Sequence, residues 1–374
     1  MPEPFKNLFS HELIEQMGAC FAAGHRGFDE QSFVKLAGQN LDTLELKQRS
    51  DQIVQAMHQC LPRDFAQTEE ILLNSLRPMV NDQVCTASNT AHLLHGWAIM
   101  PMAEYVGMHG QGDFNRSMTL LYQMTQRFSA EFAIRYFLKE QESKTLAKLQ
   151  SWLSDPSEHV RRLVSEGTRP RLPWGMQLRS FVKNPEPLLP ILDALKDDSA
   201  EYVRRSVANN LNDIAKDHPQ IVIDTAKRWL ENASNDRTRL VKHACRTLLK
   251  KGMPQALSLF GFKQPEQVSV SLTLSKRAVA VGESIDLLVE ISSGHANAQQ
   301  IMLDYVVHHK KANGQLLPKV FKWKTLTLAP YGTIDITKSH SFKPVTTRKY
   351  YAGEHQVSLL INGVAHCAES FVLN

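Results

Sequence analysis

Two near-copies of one helical phrase lie 43 residues apart and constrain how this chain can fold. The first reads EHVRRLVSEG, Glu158 to Gly167; the second reads EYVRRSVANNLND, Glu201 to Asp213. Val160-Arg161-Arg162 and Val203-Arg204-Arg205 fill the same slot. One helical pair cannot bury its apolar stripe alone, so a period of about 40–47 residues predicts helical pairs stacked on one another. A third, weaker copy, Arg237 to Ala244, sets Lys242 in the place of Arg161 and Arg204. Asp155-Pro156-Ser157, Asp198-Ser199 and Asn235-Asp236 punctuate the copies, with Ser157 suited to cap the first helix.

The residues before these copies also read as helices. Ser10 precedes Leu13, Ile14 and Met17 at helical spacing. Further helices are expected from Phe28, from Leu44 and from Asp64 to Leu76. Residues 79–96 are less periodic and read partly as loop. Phe114 to Arg127 and Ser129 to Leu138 are expected to pair antiparallel. At Pro265 the period changes from helical to two, beginning with Val268, Val270, Leu272 and Leu274. Seven short strands follow in about 107 residues, with turns at Gly282-Glu283, Asn313-Gly314, Tyr331-Gly332 and Asn362-Gly363. The expected architecture is therefore an all-α, HEAT-like helical-repeat solenoid over 1–264, followed by an immunoglobulin-like β-sandwich over 265–374.

Composition narrows the chemistry. An apolar fraction of 43% supports a packed core. Net charge is only +5, yet Trp152 to Lys251 holds 18 basic and 13 acidic residues. The repeats thus concentrate positive charge, either as a phosphate-binding stripe or as an ordinary solvated face. Five scattered cysteines without a Cys-x-x-Cys fit reduced thiols in the cytoplasm. No signal peptide, membrane span, metal-ligand spacing, phosphate loop or Ser/His/Asp arrangement is legible, so no metal and no cofactor is expected.

The segment SEGTRPRLPWG, Ser165 to Gly175, interrupts the repeats with two prolines and two glycines. Packing alone needs no such break. Trp174 follows Arg169 and Arg171 there, which suits a base beside phosphates; the alternative is a core-filling indole. Glu166 stands at a helix end, where the dipole disfavours its charge, so Arg162 four residues earlier is one expected partner. Asp213 closes the polar run Asn209-Asn210-Leu211-Asn212-Asp213, which faces a groove or makes interhelical hydrogen bonds. Glu131 lies among Phe128, Phe132, Ile134 and Phe137 and needs a partner, with Arg127 and Arg135 the nearest cations. Carboxylates, an indole and arginines on helical repeats suit a bond whose cleavage builds positive charge, such as loss of a base from deoxyribose.

The phrases EPFKNLFSHELI, LELKQRSDQIVQAM, MTQRFSAEFAIRYFL, VSEGTRPRLPWG and YVRRSVANNLNDIAKDHP closely resemble the AlkC-type bacterial alkylpurine DNA glycosylases. The resemblance covers residues 1–260, and the β region fits members that carry an immunoglobulin-like domain. It implies excision of 3-methyladenine and 3-methylcytosine from double-stranded DNA without flipping the base into a pocket. It matches Asp213 to the catalytic carboxylate flanking deoxyribose, Glu166 and Glu131 to further acids, and Trp174 to the site's aromatic. Arg161, Arg162, Arg169, Arg171, Arg204, Arg205 and Lys242 are the candidates for phosphate contact. The basic loops at Lys310-Lys311 and Arg348-Lys349 either extend the grip on DNA or are ordinary hairpin tips. The reading is of a monomer in the bacterial cytoplasm; the alternative is a non-catalytic scaffold for DNA or protein.

Overall fold

The computed structural model describes residues 4–80, 83–345 and 348–374. They form two compact units, one of residues up to 217 with 234–244, the other of 218–233 with 245–374. The units do not follow the change from helix to strand, which falls between Ser258 and Val268.

The first unit is helical: α1 (His11–Gly24), α2 (Glu30–Gly38), α3 (Leu46–Cys60), α4 (Phe65–Asn74), α5 (Ile99–His109), α6 (Phe114–Thr125), α7 (Ile134–Glu140), α8 (Glu142–Ser151), α9 (Glu158–Gly167), α10 (Arg179–Lys183), α11 (Leu189–Leu195) and α12 (Glu201–Ile214). In the second unit lies α13 (Pro219–Leu230), after which α14 (Asn235–Ala244) returns to the first. Side-chain caps start several of these helices. Ser10, Asp29, Asp64 and Asp113 accept from the backbone N–H of Leu13, Ser32, Ala66 and Arg116. A short antiparallel pair, β1 (Met79–Val80) and β2 (Gln83–Val84), stands in the irregular stretch before α5.

The repeats stack as their period predicts, with α9, α12 and α14 side by side. In α12 the apolar Val203, Val207, Leu211 and Ile214 recur on one buried face. One arginine per repeat staples the stack. Arg161 donates to the carbonyls of Asp155 and Pro156 and to both carboxylate oxygens of Asp198, ahead of the next repeat. Arg204 repeats this with the carbonyls of Asp198 and Ser199 and with Asp236.

Four local expectations are corrected. Ser157 precedes α9, but its hydroxyl caps nothing; Asp155 accepts from the Ser157 N–H instead. The third copy is capped by Ser234, which accepts from the Arg237 N–H. Lys242 lies seven residues into α14, whereas Arg161 and Arg204 lie three into theirs, so the third copy is displaced by one helical turn. The helix expected from Ser129 begins only at Ile134. Ser129 bonds both the N–H and the carboxylate of Glu131, a local pattern that competes with helix.

The second unit holds α13, α15 (Arg246–Lys250), α16 (Pro254–Ser258) and a sandwich. Its strands are β3 (Val268–Leu274), β4 (Ala278–Val279), β5 (Ser284–Ser293), β6 (Gln299–Lys310), β7 (Leu316–Leu328), β8 (Thr333–Ser341), β9 (Gly353–Ile361) and β10 (Val364–Leu373). One sheet orders β4-β10-β9-β6-β7, the other β3-β5-β8. The seven expected strands are present. The additional β4 pairs parallel to β10 over two residues, too short to show a period. Ile285, Leu287, Val289 and Ile291 of β5 point inward with Leu303, Tyr305 and Val307 of β6 and Leu359 of β9. Asn362 and Gly363, at φ of 46° and 81°, form the two-residue turn between β9 and β10. No helix among the described residues is long and apolar enough to cross a membrane.

Candidate active site

The loop that interrupts the repeats is built around a buried arginine. Gly167 ends α9 where a Cβ would lie 2.5 Å from the Ile134 side chain, so α7 approaches closely. The next residue of α7, Arg135, is fully buried. Its Nη1 donates to the carbonyls of Gly167 (2.9 Å) and Arg169 (2.6 Å), and its Nε to that of Met176 (2.8 Å). These bonds pin both ends of the loop. Burial first, and the neighbouring Arg169 second, push the Arg135 pKa down to about 10. Arg135 is therefore the loop's clamp rather than the partner of Glu131.

The held loop presents Trp174 to solvent. Gly175 N–H donates to the Leu172 carbonyl, with Pro173 and Trp174 between them. Trp174 has φ of 64°, the left-handed position that Gly or Asn ordinarily fills in such a turn. Its side chain is 77% exposed, which removes the core-filling alternative.

Behind Trp174, acids and bases alternate in a row. Arg162 Nη1 lies 2.5 Å from Glu131 Oε2, and Arg162 Nη2 lies 3.7 Å from Glu166 Oε1. Arg169 Nη1 donates to Glu166 Oε1 at 2.6 Å, and Arg169 Nε to Asp213 Oδ2 at 2.8 Å. Lys216 Nζ reaches Asp213 Oδ1 at 2.8 Å. Ser206 donates to Glu166 Oε2 at 2.6 Å and accepts from Ser165. Glu166 is 5% exposed and Asp213 1%, so their charges need these partners. Burial works against the charge of Arg162 and Arg169, but the carboxylates outweigh it and hold both guanidinium pKa values above the ordinary range.

Asp213, Glu166 and Glu131 thus converge, with one guanidinium bridging Asp213 to Glu166 and a second joining Glu166 to Glu131. The partner of Glu131 is Arg162, 31 residues away, and not Arg127 or Arg135. Arg127 donates to the backbone carbonyls of Arg77 and Gln123. The asparagine run divides its work: Asn210 donates to the Ser165 carbonyl and Thr168 hydroxyl, while Asn209 meets His243. Glu131, Arg162, Glu166, Arg169 and Trp174 line one cleft of about 610 Å³ with Trp97, Phe128, Phe132, His159 and Tyr202. Asp213 lies behind Arg169, outside the cleft lining.

The other basic candidates lie elsewhere. Arg171 is paired to Asp217. Arg161 and Arg204 make the staples, and Arg204 and Arg205 also line a groove of about 260 Å³ with Arg239 and His243. Arg205 and Lys242 are exposed. No group of three or more His, Cys, Asp or Glu among the described residues is arranged to hold a metal. Sequence reasoning missed the clamp Arg135, the stapling role of Arg161 and Arg204, and Lys216, Ser206 and Tyr202. Only Arg135 carried a signal, a guanidinium within an apolar stretch.

Chemically, the row fixes three carboxylates among guanidinium partners, two of them buried. Such a group favours a reacting centre that gains positive charge.

Three comparisons bear on this chain. The family model described as "Uncharacterised protein YhaZ, C-terminal Ig-like domain" matches residues 268–374. The uncharacterized protein YhaZ of Bacillus subtilis (strain 168) is 35% identical over 360 residues, covering 96% of both chains. Pseudomonas fluorescens alkylpurine DNA glycosylase AlkC, solved bound to DNA containing an abasic site analog, is 35% identical, with a TM-score of 0.88 over 100% of both chains.

Proposed function

The chain belongs to the AlkC family of alkylpurine DNA glycosylases, and from that premise we propose that it hydrolyses the N-glycosidic bond of cationic alkylated bases in double-stranded DNA. The observation that carries this reading is the single guanidinium of Arg169 bridging Glu166 and Asp213 beside the exposed Trp174. Departure of a base leaves oxocarbenium character on deoxyribose. A carboxylate about 4 Å from that charge stabilises it by about 4 kcal/mol at an effective dielectric near 20. The adjacent guanidinium subtracts from this, so about a thousandfold in rate is the upper end of what one acid supplies.

In this reading Asp213 supplies field to the sugar from behind Arg169, Glu166 and Glu131 add to it and orient the attacking water, and Trp174 supports the distorted duplex. The leaving base, 3-methyladenine or 3-methylcytosine, already carries a positive charge and needs no protonating acid. It can therefore depart from the helix stack without being flipped into a pocket. Arg161, Arg162, Arg169, Arg171, Arg204, Arg205 and Lys242 are the proposed source of backbone attraction, with Arg205 and Lys242 the most accessible. The pairing of Arg162 and Arg169 with acids favours a second task for them, holding the carboxylates in place.

The test is chromatography of bases released from methylated duplex DNA by the full chain. Release of 3-methyladenine or 3-methylcytosine, lost in Asp213→Asn while DNA binding persists, supports the proposal. Salt-sensitive binding without release identifies a non-catalytic DNA binder, and absence of both identifies a protein scaffold.

A further inference from the structure

Several cleft side chains have no role in the reaction as described, and one of them meets a cation of the row. Tyr202 stands in the first turn of α12, 40% exposed, and lines the cleft beside His159 and Arg162. Its ring centroid lies 4.8 Å from Arg162 Cζ. The His159 ring meets it edge-on at 5.7 Å and 72°. His159 Nδ1 is buried without a hydrogen-bond partner.

Arg162 is the cation that spans Glu131 and Glu166. Ser129 and Glu131 both accept from its Nη1, which fixes one corner of the plane, while Nη2 at 3.7 Å from Glu166 is beyond hydrogen-bond reach and leaves the other corner freedom to tilt. A π face against the guanidinium removes that freedom. We propose that Tyr202 is a positioning residue, whose ring holds the Arg162 guanidinium in the plane that serves both carboxylates. The inference rests on the glycosylase reading and deepens it. Contacts of this kind correspond to about 2- to 30-fold in rate.

The experiment compares wild type, Tyr202→Phe and Tyr202→Leu, each with and without Arg162→Lys, in release of 3-methyladenine from methylated duplex DNA. Tyr202→Phe is expected to stay within about twofold of wild type, because the ring remains. Tyr202→Leu is expected to lower kcat about tenfold with KM changed less than about twofold. In the Arg162→Lys background the leucine change should cost under about twofold, since the planar group it acts through is gone. An equal cost in both backgrounds overturns the proposal. So does a raised KM at constant kcat, which would make the ring a DNA-stacking surface. Thermal melting checks each fold, with Tyr202→Gln as the second truncation if leucine destabilises. Side-chain nitrogen NMR of Arg162 reads the contact without activity. Separate Nη signals should appear in wild type and the phenylalanine variant and merge in the leucine variant; signals that stay separate there overturn the proposal. Wild-type protein that releases no base would sink only the glycosylase reading.

Discussion

Replacing Arg135 with methionine should both destabilise the protein and disable the cleft. The side chain is fully buried and donates to three backbone carbonyls, those of Gly167, Arg169 and Met176. Hydrogen bonds from a charged donor are worth about 1.5–3 kcal/mol each, so three acceptors amount to about 4–9 kcal/mol. Against this, the fall of the Arg135 pKa to about 10 corresponds to about 3 kcal/mol of disfavoured charge at neutral pH. Methionine removes that penalty and fills most of the volume, but leaves the carbonyls without donors. The difference predicts a net loss near 3 kcal/mol. Chemical denaturation at pH 7 measures it, with unchanged slope required for comparison. The loop carrying Arg169 and Trp174 loses its anchor at both ends, so base release should fall more than tenfold even where the variant is folded. A variant with wild-type stability and wild-type release would refute the reasoning that Arg135 holds this loop.

Asp213→Asn is isosteric and should cut base release at least a hundredfold, measured by chromatography, with DNA affinity retained in a binding titration. Trp174→Gly relieves the left-handed backbone at φ of 64° and should leave the melting temperature equal or higher; excision should nonetheless fall, because the exposed ring is lost. The sandwich should be acid-sensitive. Burial first, then Arg348 and other cations, hold His309 down to about 3 and His340 to about 4. Both are neutral when folded, but each binds a proton once unfolded below about pH 6.5, so stability is complete above that pH and is lost as pH falls toward 4. Acid unfolding followed by fluorescence should show a lower midpoint in His309→Leu than in wild type; an unchanged midpoint would count against this histidine.

The two views of the molecule divide along the range of the interactions. Period and punctuation made the stacked helices and the strands readable, because amphipathic spacing and turn residues act within a few positions. The turn at Asn362-Gly363 and the cap at Ser10 are local in this sense, and the structure holds both. The displaced third copy shows where local reading fails: matching basic residues by type missed that Ser234, not Asn235, caps that helix.

The site is different. Its residue types and its interrupted loop were legible, since carboxylates, arginines and an indole amid Gly and Pro are unusual in a packed repeat. Their pairings were not. Arg162 and Glu166 are neighbours on one helix, yet Arg162 binds Glu131 more closely, from the turn before α7. Arg169 meets Asp213 across 44 residues, and Arg135 turned from a suspected ion partner into a backbone clamp. What the amino-acid order alone determined was periodicity, turn positions and chemical inventory. Which charge neutralises which was decided only by the packing of α9 against α12 and the turn before α7, because a buried ion takes the partner that packing brings within reach, whatever its distance along the chain.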